Sequence, residues 1–402
     1  MNIGVFTHCV ADNYGANLQS YSTARYLANR GYTPIFINWA PYPPNNNETQ
    51  VKLHSSFLSR YGFKVTEPCV SDNDFVEVIK KYEINFLIVG SDCVLTYRKP
   101  FVPWIVTRKG IKRIKIAKDF MFPNPFWLPF FNQIGGLKAV MMSGSCGCSD
   151  LNRASGEIRK QMKGCLDRFS YISVRDDYTK NSLYRILGKE AAERIPITPD
   201  PVFAFNQNCM PIPSKEEILK KFNLPENYIA TNFYAEFLPK TDWLYNLKDE
   251  INRVGYKLVN LPMPQDINNR YPSDIDIPLP LDSLDWYCII KYSSGYVGNN
   301  MHPIIVSIHN SVPFYSIDAH GKYYLRRKIQ DVSHTKEYEL LKRFGLLDYH
   351  ISNKKLYSIT PHSIVERLLA FDKEYCTKCS DILKSEYFAM MDTIVGNINK
   401  QV

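Results

Sequence analysis

"VADNYGANLQSYSTARYLANRGY" (residues 10–32) follows directly on the apolar run "IGVFTHCV" (3–10). That run is short and gives way to polar residues, the mark of a buried strand. Asn13-Tyr14-Gly15-Ala16-Asn17 then reads as a polar turn. After it, Leu18, Tyr21, Ala24 and Leu27 share one helical face until Gly31 ends the pattern. A strand, a turn with a glycine and a helix make the first half of a βαβ unit. The N-terminus of such a helix faces whatever sits above the strand.

The same rhythm recurs. "TPIFINW" (33–39), "NFLIVGSD" (85–92), "LKAVMMSGS" (137–145) and "YISV" (171–174) read as strands, with helical patterns such as "DFVEVIKKY" (74–82) between them. Near 199–226 the chain turns proline-rich and polar, which predicts a linker. The rhythm then restarts with "YIATNFY" (228–234), "SGYVG" (294–298) and "VPFYSI" (312–317) as strands. "LDWYCIIKYS" (284–293) and "HPIIVSIHN" (302–310) read as helices among them. The architecture expected is α/β: two Rossmann-like lobes facing each other across a cleft. Residues 1–205 form the N-terminal lobe, 206–226 the linker, 227–360 the C-terminal lobe and 361–402 a helical tail.

A chain of 402 residues exceeds one ordinary core, in keeping with two lobes. Hydrophobic residues at 45% and charged ones at 22% match a soluble globular protein. No secretory leader and no membrane-spanning run is read in the chain, so a cytoplasmic protein is expected. The net charge of +9 favours anionic partners, including the inner face of a membrane. The run "RKGIKRIKIAK" (108–118) suits a basic strand or helix face as well as a nucleic-acid patch, and no nucleic-acid partner is expected. "FMFPNPFWLPFF" (120–131), broken by three prolines, reads as a buried loop or as a membrane- or acceptor-facing one. The ten cysteines read as reduced thiols. Cys146-Gly-Cys148 and Cys376-Thr-Lys-Cys379 lack the second CxxC that a structural zinc site would want.

Ligands of open α/β sheets bind where strands run out into helices. That rule selects the turns at 12–17, 90–96, 143–148, 173–176, 199–201, 234–236 and 298–302. None holds a GxGxxG dinucleotide fingerprint. Gly90-Ser91-Asp92 serves as a helix cap or a ligand turn, and Ser143-Gly144-Ser145 as a tight turn or an anion cradle. Arg175 ends a buried strand, where an arginine needs a partner: the neighbouring Asp176 or Asp177, or a bound anion. His302 opens a helix after "GYVGNN", a place from which it can act as acid or base near neutral pH.

Taken in order, "NYGANLQSYSTARYLANRGY", "IVGSD", "MMSGSCG", "SVRDDYTKNSLYRILG", "PDPVF", "GNNMHPIIVSIHNSVPFYSID" and "SHTKEYELLKRFGLLDY" resemble the polysaccharide pyruvyl transferase family over roughly residues 3–350. The resemblance implies a two-lobed fold of the glycosyltransferase-B type. It also implies transfer of the pyruvyl group of phosphoenolpyruvate onto two hydroxyls of one sugar, forming a cyclic ketal in bacterial capsule, exopolysaccharide or cell-wall synthesis. Two positions depart from the family's pattern. Asn300 stands where an Arg is common two residues before the histidine, and Cys93 and Leu95 stand where Gln and Trp often follow "GSD".

On this resemblance His302 is the expected acid or phosphate-side donor, and Asp92 orients or deprotonates an acceptor hydroxyl. Arg175 grips the phosphate or carboxylate in a bidentate contact, and Asp200 braces Arg175 or caps a turn. Asn13, Tyr14, Gly15, Asn17, Ser143, Ser145, Asn299 and Asn300 are expected to line the substrate site. The chemistry demands no metal, the sequence presents no carboxylate cluster for one, and no cofactor is expected beyond phosphoenolpyruvate as donor. The acceptor expected is a sugar, with a lipid diphosphate carrier fitting the basic charge. Two rival readings are a nucleotide-sugar glycosyltransferase, for which Glu236 is the second-lobe carboxylate, and a non-catalytic glycan-binding protein.

Overall fold

In the computed structural model, the described residues are 1–10, 12–41, 49–99, 105–107, 110–112, 117–147, 149, 151–264, 270–324 and 329–400. Cys148 and most of the basic run 108–118 lie outside them. The first sheet comprises β1 (Asn2–Phe6), β2 (Thr33–Phe36), β3 (Lys64–Val65), β4 (Phe86–Asp92), β5 (Lys138–Gly144) and β6 (Phe169–Val174), all parallel, in the order β3-β2-β1-β4-β5-β6. The second repeats that order with β7 (Tyr228–Asn232), β8 (Lys257–Asn260), β9 (Ile275–Asp276), β10 (Gly295–Gly298), β11 (Phe314–Asp318) and β12 (His350–Ser352), running β9-β8-β7-β10-β11-β12. Each sheet reverses its winding once, between β1 and β4 and between β7 and β10. A doubly wound sheet opens its crevice at such a point.

Five of the helices that matter for the site belong to these windings: α1 (Tyr14–Ala28), α2 (Asp177–Leu187), α3 (Ser283–Lys291), α4 (Met301–His309) and α5 (Lys336–Arg343). The sixth, α6 (Lys373–Asn399), is the long C-terminal helix. α1 begins where the Asn13 side chain accepts from the Ala16 N–H at 3.2 Å. Gly31, just beyond its end, sits at φ +82°, in the left-handed region that glycine adopts without penalty. The periodicity predicts one buried face, but α1 is buried nearly all round. First-lobe strands cover one side and α3 of the second lobe covers the other, so its polar residues find partners across the lobe boundary.

The segment 206–226 contains a helix, Lys215–Phe222, entered through a Ser214/Glu217 capping box. α6 starts on the second lobe, where the Cys376 thiol meets the Ile308 carbonyl, and ends on the first. There Met390 receives the Ser143 hydroxyl and Tyr26 donates to Asp392 at 2.7 Å. Cys376 and Cys379 are both buried along it.

The apolar stretch 120–131 is core rather than a membrane- or acceptor-facing surface. Its prolines produce short 3₁₀ turns that fold Phe126, Trp127, Leu128 and Phe130 inward, Phe126 against Phe6 at 4.6 Å and Phe130 stacked on Phe75 at 4.9 Å. Met121 is the large apolar side chain left exposed there. No helix among the described residues is long and apolar enough to cross a membrane.

Candidate active site

At the two switch points the lobes meet around a compact polar cluster. Arg175, just past β6, donates through Nη1 to Asp200 at 2.5 Å and through Nη2 to Asp92 at 3.3 Å. Asp92 ends β4 at φ +98°, a strained backbone for a non-glycine residue, stabilised where its carbonyl accepts from the Ser145 and Val94 N–H groups. From the second lobe Lys336, at the start of α5, reaches the same Asp92 oxygen at 3.0 Å. His302, in the first turn of α4, lies against the start of α1. Its Nε2 is 3.1 Å from the Gln19 amide nitrogen, which also bonds Asp200.

The proton positions follow from this geometry. Ionised Asp200 only accepts, so Gln19 must turn its NH₂ group toward it. The second hydrogen of that NH₂ then points at His302 Nε2, which accepts and leaves the ring proton on Nδ1. Burial lowers the His302 pKa, Asp200 and Asp92 push it back up, and Arg175 and Lys336 oppose them. The net shift is downward, so the ring is neutral at neutral pH. Burial alone would raise Asp92, yet Lys336 and then Arg175 outweigh it and hold the carboxyl well below its ordinary range. The result is a neutral imidazole beside two cations, each fixed by a carboxylate.

Gly15 is what lets the histidine approach. A Cβ at that position would lie 2.1 Å from His302 Cγ and 2.2 Å from Cδ2 and Nδ1. The turn that opens α1 therefore holds the catalytic candidate of the other lobe, with bare backbone pressed on the ring.

Arg175, Asp92, Asp200, His302 and Gly15 thus come together, and Asn300 adjoins them by capping α4 through the His302 N–H at 3.3 Å. Asp200 both braces Arg175 and caps the turn that follows, accepting from the Val202 N–H at 3.0 Å. The neighbouring carboxylates expected as alternative partners of Arg175 bond elsewhere or not at all to it. Asp176 caps α2 and accepts the Ser145 hydroxyl at 2.8 Å.

Other expected site residues are committed to packing. Tyr14 stacks on Trp286 at 5.0 Å, and fully buried Asn17 donates to Ser283 at 3.0 Å and meets His54 Nδ1 at 3.0 Å. α3 covers that side of α1, so both serve lobe–lobe contact rather than an open cleft floor. Ser143 bonds Pro199 and Thr198, Asn299 bonds the Tyr234 N–H, and both are fully buried. Asn13 is the cap of α1.

Gln19 and Lys336 escape a reading of the sequence. Gln19 lies four residues after Gly15, hence on the same helical face, which is the one signal that could have found it. Lys336 carries none. The sequence also shows no carboxylate cluster, whereas the fold brings Asp318, at the end of β11, to Glu337 in α5. With His320 their ligand atoms lie within 4.8 Å of one another. Burial raises both carboxyls, Asp318 to about 7, and Thr335 donates to Asp318 at 2.5 Å.

Comparison with solved structures shows the fold. S. aureus MnaA in a co-structure with UDP is 12% identical, with a TM-score of 0.58 over 100% of this chain and 97% of its own. A putative UDP-N-acetylglucosamine 2-epimerase from Listeria monocytogenes is 12% identical, with a TM-score of 0.56 over 94% of this chain and 90% of its own. The Neisseria meningitidis UDP-GlcNAc 2-epimerase bound to UDP-GlcNAc is 10% identical, with a TM-score of 0.55 over the whole of both chains. The two lobes are thus of the glycosyltransferase-B type. A search of curated proteins returns no match. The family model for polysaccharide pyruvyl transferase matches residues 13–321, which span every residue of the cluster except Lys336. With well over half of its length so matched, the chain belongs to the polysaccharide pyruvyl transferase family.

Proposed function

We propose that the protein moves the pyruvyl group of phosphoenolpyruvate onto two hydroxyls of a sugar, forming a cyclic ketal. The observation that carries this reading is the neutral His302 set beside Arg175 and its two carboxylates at the lobe boundary. The donor brings about three negative charges. Arg175 answers them with the N–H donors that Asp200 and Asp92 leave unused, including an Nε that is buried without a partner among the described residues.

An anion next to the His302 ring favours its protonated form, so donor binding draws a proton onto Nε2, which gives up the bond from Gln19 as it takes it. Protonated His302 then delivers that proton to the methylene carbon, and positive charge develops at C2. The first sugar hydroxyl adds to C2 and its proton returns to the ring. Phosphate leaves with its C–O bond electrons as the second hydroxyl adds. Of the two hydroxyl protons, one ends on the new methyl group and the other on phosphate. Asp92, held ionised by two cations, orients groups rather than taking protons.

A cleft of about 590 Å³ between Gln50 of the first lobe and Asn260, Pro262, Arg270 and Asp276 of the second is the acceptor site we favour. Met263, next to Pro262, contacts Asn300. A sugar on a lipid diphosphate, met by this +9 protein at the cytoplasmic face of a membrane, is the acceptor class we favour.

Phosphate release from phosphoenolpyruvate, with lipid-diphosphate-linked galactose, mannose and N-acetylhexosamine offered as acceptors, tests the reading. A product heavier by one pyruvyl ketal, lost in Arg175→Ala and His302→Ala, is expected. One observation favours a nucleotide-sugar transferase instead: the buried Asp318–Glu337 pair is a second-lobe carboxylate site in a fold shared with UDP-bound proteins. Heat stabilisation by UDP-sugars, with no stabilisation and no phosphate release from phosphoenolpyruvate, would establish that alternative.

A further inference from the structure

We infer that Lys336 is the second-lobe cation that binds the anionic donor, so that phosphoenolpyruvate bridges the two lobes between Arg175 and Lys336; the inference rests on the donor proposed above. Lys336 is the first residue of α5, where the positive end of the helix dipole disfavours a cation. It is nevertheless drawn in, its side chain 16% exposed, to meet a carboxylate of the opposite lobe.

Arg175 and Lys336 converge on one and the same oxygen of Asp92, at 3.3 and 3.0 Å, and they repel each other there. Arg175 sits nearer to Asp200, at 2.5 Å, so the two cations and the two carboxylates Asp92 and Asp200 balance in charge. The two cations are held side by side at the lobe boundary, where one anion can meet both.

Both cations also keep donors in hand. The ammonium has three; Asp92 and the Cys93 sulfur take two. Among the described residues Arg175 Nε is buried without a partner, and its fork spends one contact from each Nη. Arg175, Lys336, Asp200 and Met301 line one narrow cavity. A ligand with a carboxylate at one end and a phosphate at the other suits two grips held on separate lobes. The neutral hydroxyls of an acceptor call for neither.

Calorimetric titration of the full chain with phosphoenolpyruvate, at several salt concentrations, tests this. Lys336→Met should weaken binding about tenfold or more and flatten its salt dependence, while Lys336→Arg restores both. The same comparison in an Asp92→Asn background removes the buried carboxylate that Lys336→Met would strand, so a folding defect cannot mimic the loss. A lysine needed only to pair Asp92 would leave affinity and salt dependence of the double variant equal to those of Asp92→Asn. That result, or Lys336→Met binding within about threefold of wild type, overturns the assignment and leaves the donor reading standing. Wild-type protein that takes up no phosphoenolpyruvate overturns the donor reading, and this inference with it.

Discussion

Gly15→Ala is the sharpest probe of how the lobes meet. The new methyl would sit 2.1 Å from His302 Cγ, so the ring must retreat by about 1.4 Å to reach the roughly 3.5 Å of ordinary carbon contact. A shift of that size breaks its 3.1 Å bond to Gln19 and misplaces the imidazole relative to Arg175. Overpacking of this kind costs about 1–3 kcal/mol, from which the helix propensity of alanine returns at most about 1. A displacement of about 1 Å at a reacting group costs on the order of a hundredfold in rate. Gly15→Ala should therefore melt earlier and lose about two orders of magnitude in phosphate release. Gly164→Ala, in a helix with open space around it, should melt no earlier than wild type. A double-mutant cycle isolates the cause. In a His302→Ala background the methyl has no ring to strike, and the stability cost of Gly15→Ala should vanish. Equal costs in both backgrounds would refute the contact.

Two other outcomes follow from the electrostatics. Asp200→Asn removes a charge from a buried pair and should cost about 3 kcal/mol in chemical denaturation, Arg175 being left with the more distant Asp92. It also deletes the group that most raises His302, so the imidazole should titrate at lower pH by NMR. His309 is buried, accepts the Asn206 N–H and is pushed down to about 3, whereas the unfolded chain takes up that proton near pH 6.5. Its contribution to stability is complete above pH 6.5 and drains away as pH falls toward 3. In His309→Gln the slope of stability against pH in that window should be shallower by about 1.4 kcal/mol per pH unit, and parallel curves would refute it.

Closure between the lobes rests on few elements. α1 carries Gly15 and Gln19 to His302, Asn17 to Ser283 and Tyr14 to Trp286. Gln50 adds a paired contact with the backbone of Leu281, and Arg60 an ion pair with Asp282 at 2.6 Å. One helix therefore both builds the lobe boundary and frames the chemistry. Substitutions along it will mix stability effects with catalytic ones unless both are measured.

Much was legible in the sequence because it is local. Short apolar runs alternate with 3.6-residue periodicity, so the parallel strands, the helices between them and the turns at their carboxyl ends could be read directly. Those turns contain Arg175, Asp92, Asp200 and His302, the residues that the fold gathers. The tertiary structure decided which turns meet and what the remaining side chains do. Periodicity reports the face a helix turns to its own sheet and is blind to a second lobe on the other side. Asn17 and Tyr14 therefore read as ligand contacts when they are packing, and the loop 120–131 reads as buried but leaves a surface-facing alternative open. Gln19 and His302 are 283 residues apart, and Lys336 lies 244 beyond Asp92. Asp318 and Glu337 are 19 positions apart and come together across turn, ribbon and helix. Nothing local encodes such pairings. They arise when two sheets with the same winding bring their switch points face to face, and it is there that burial makes His302 neutral and neighbouring cations keep Asp92 charged.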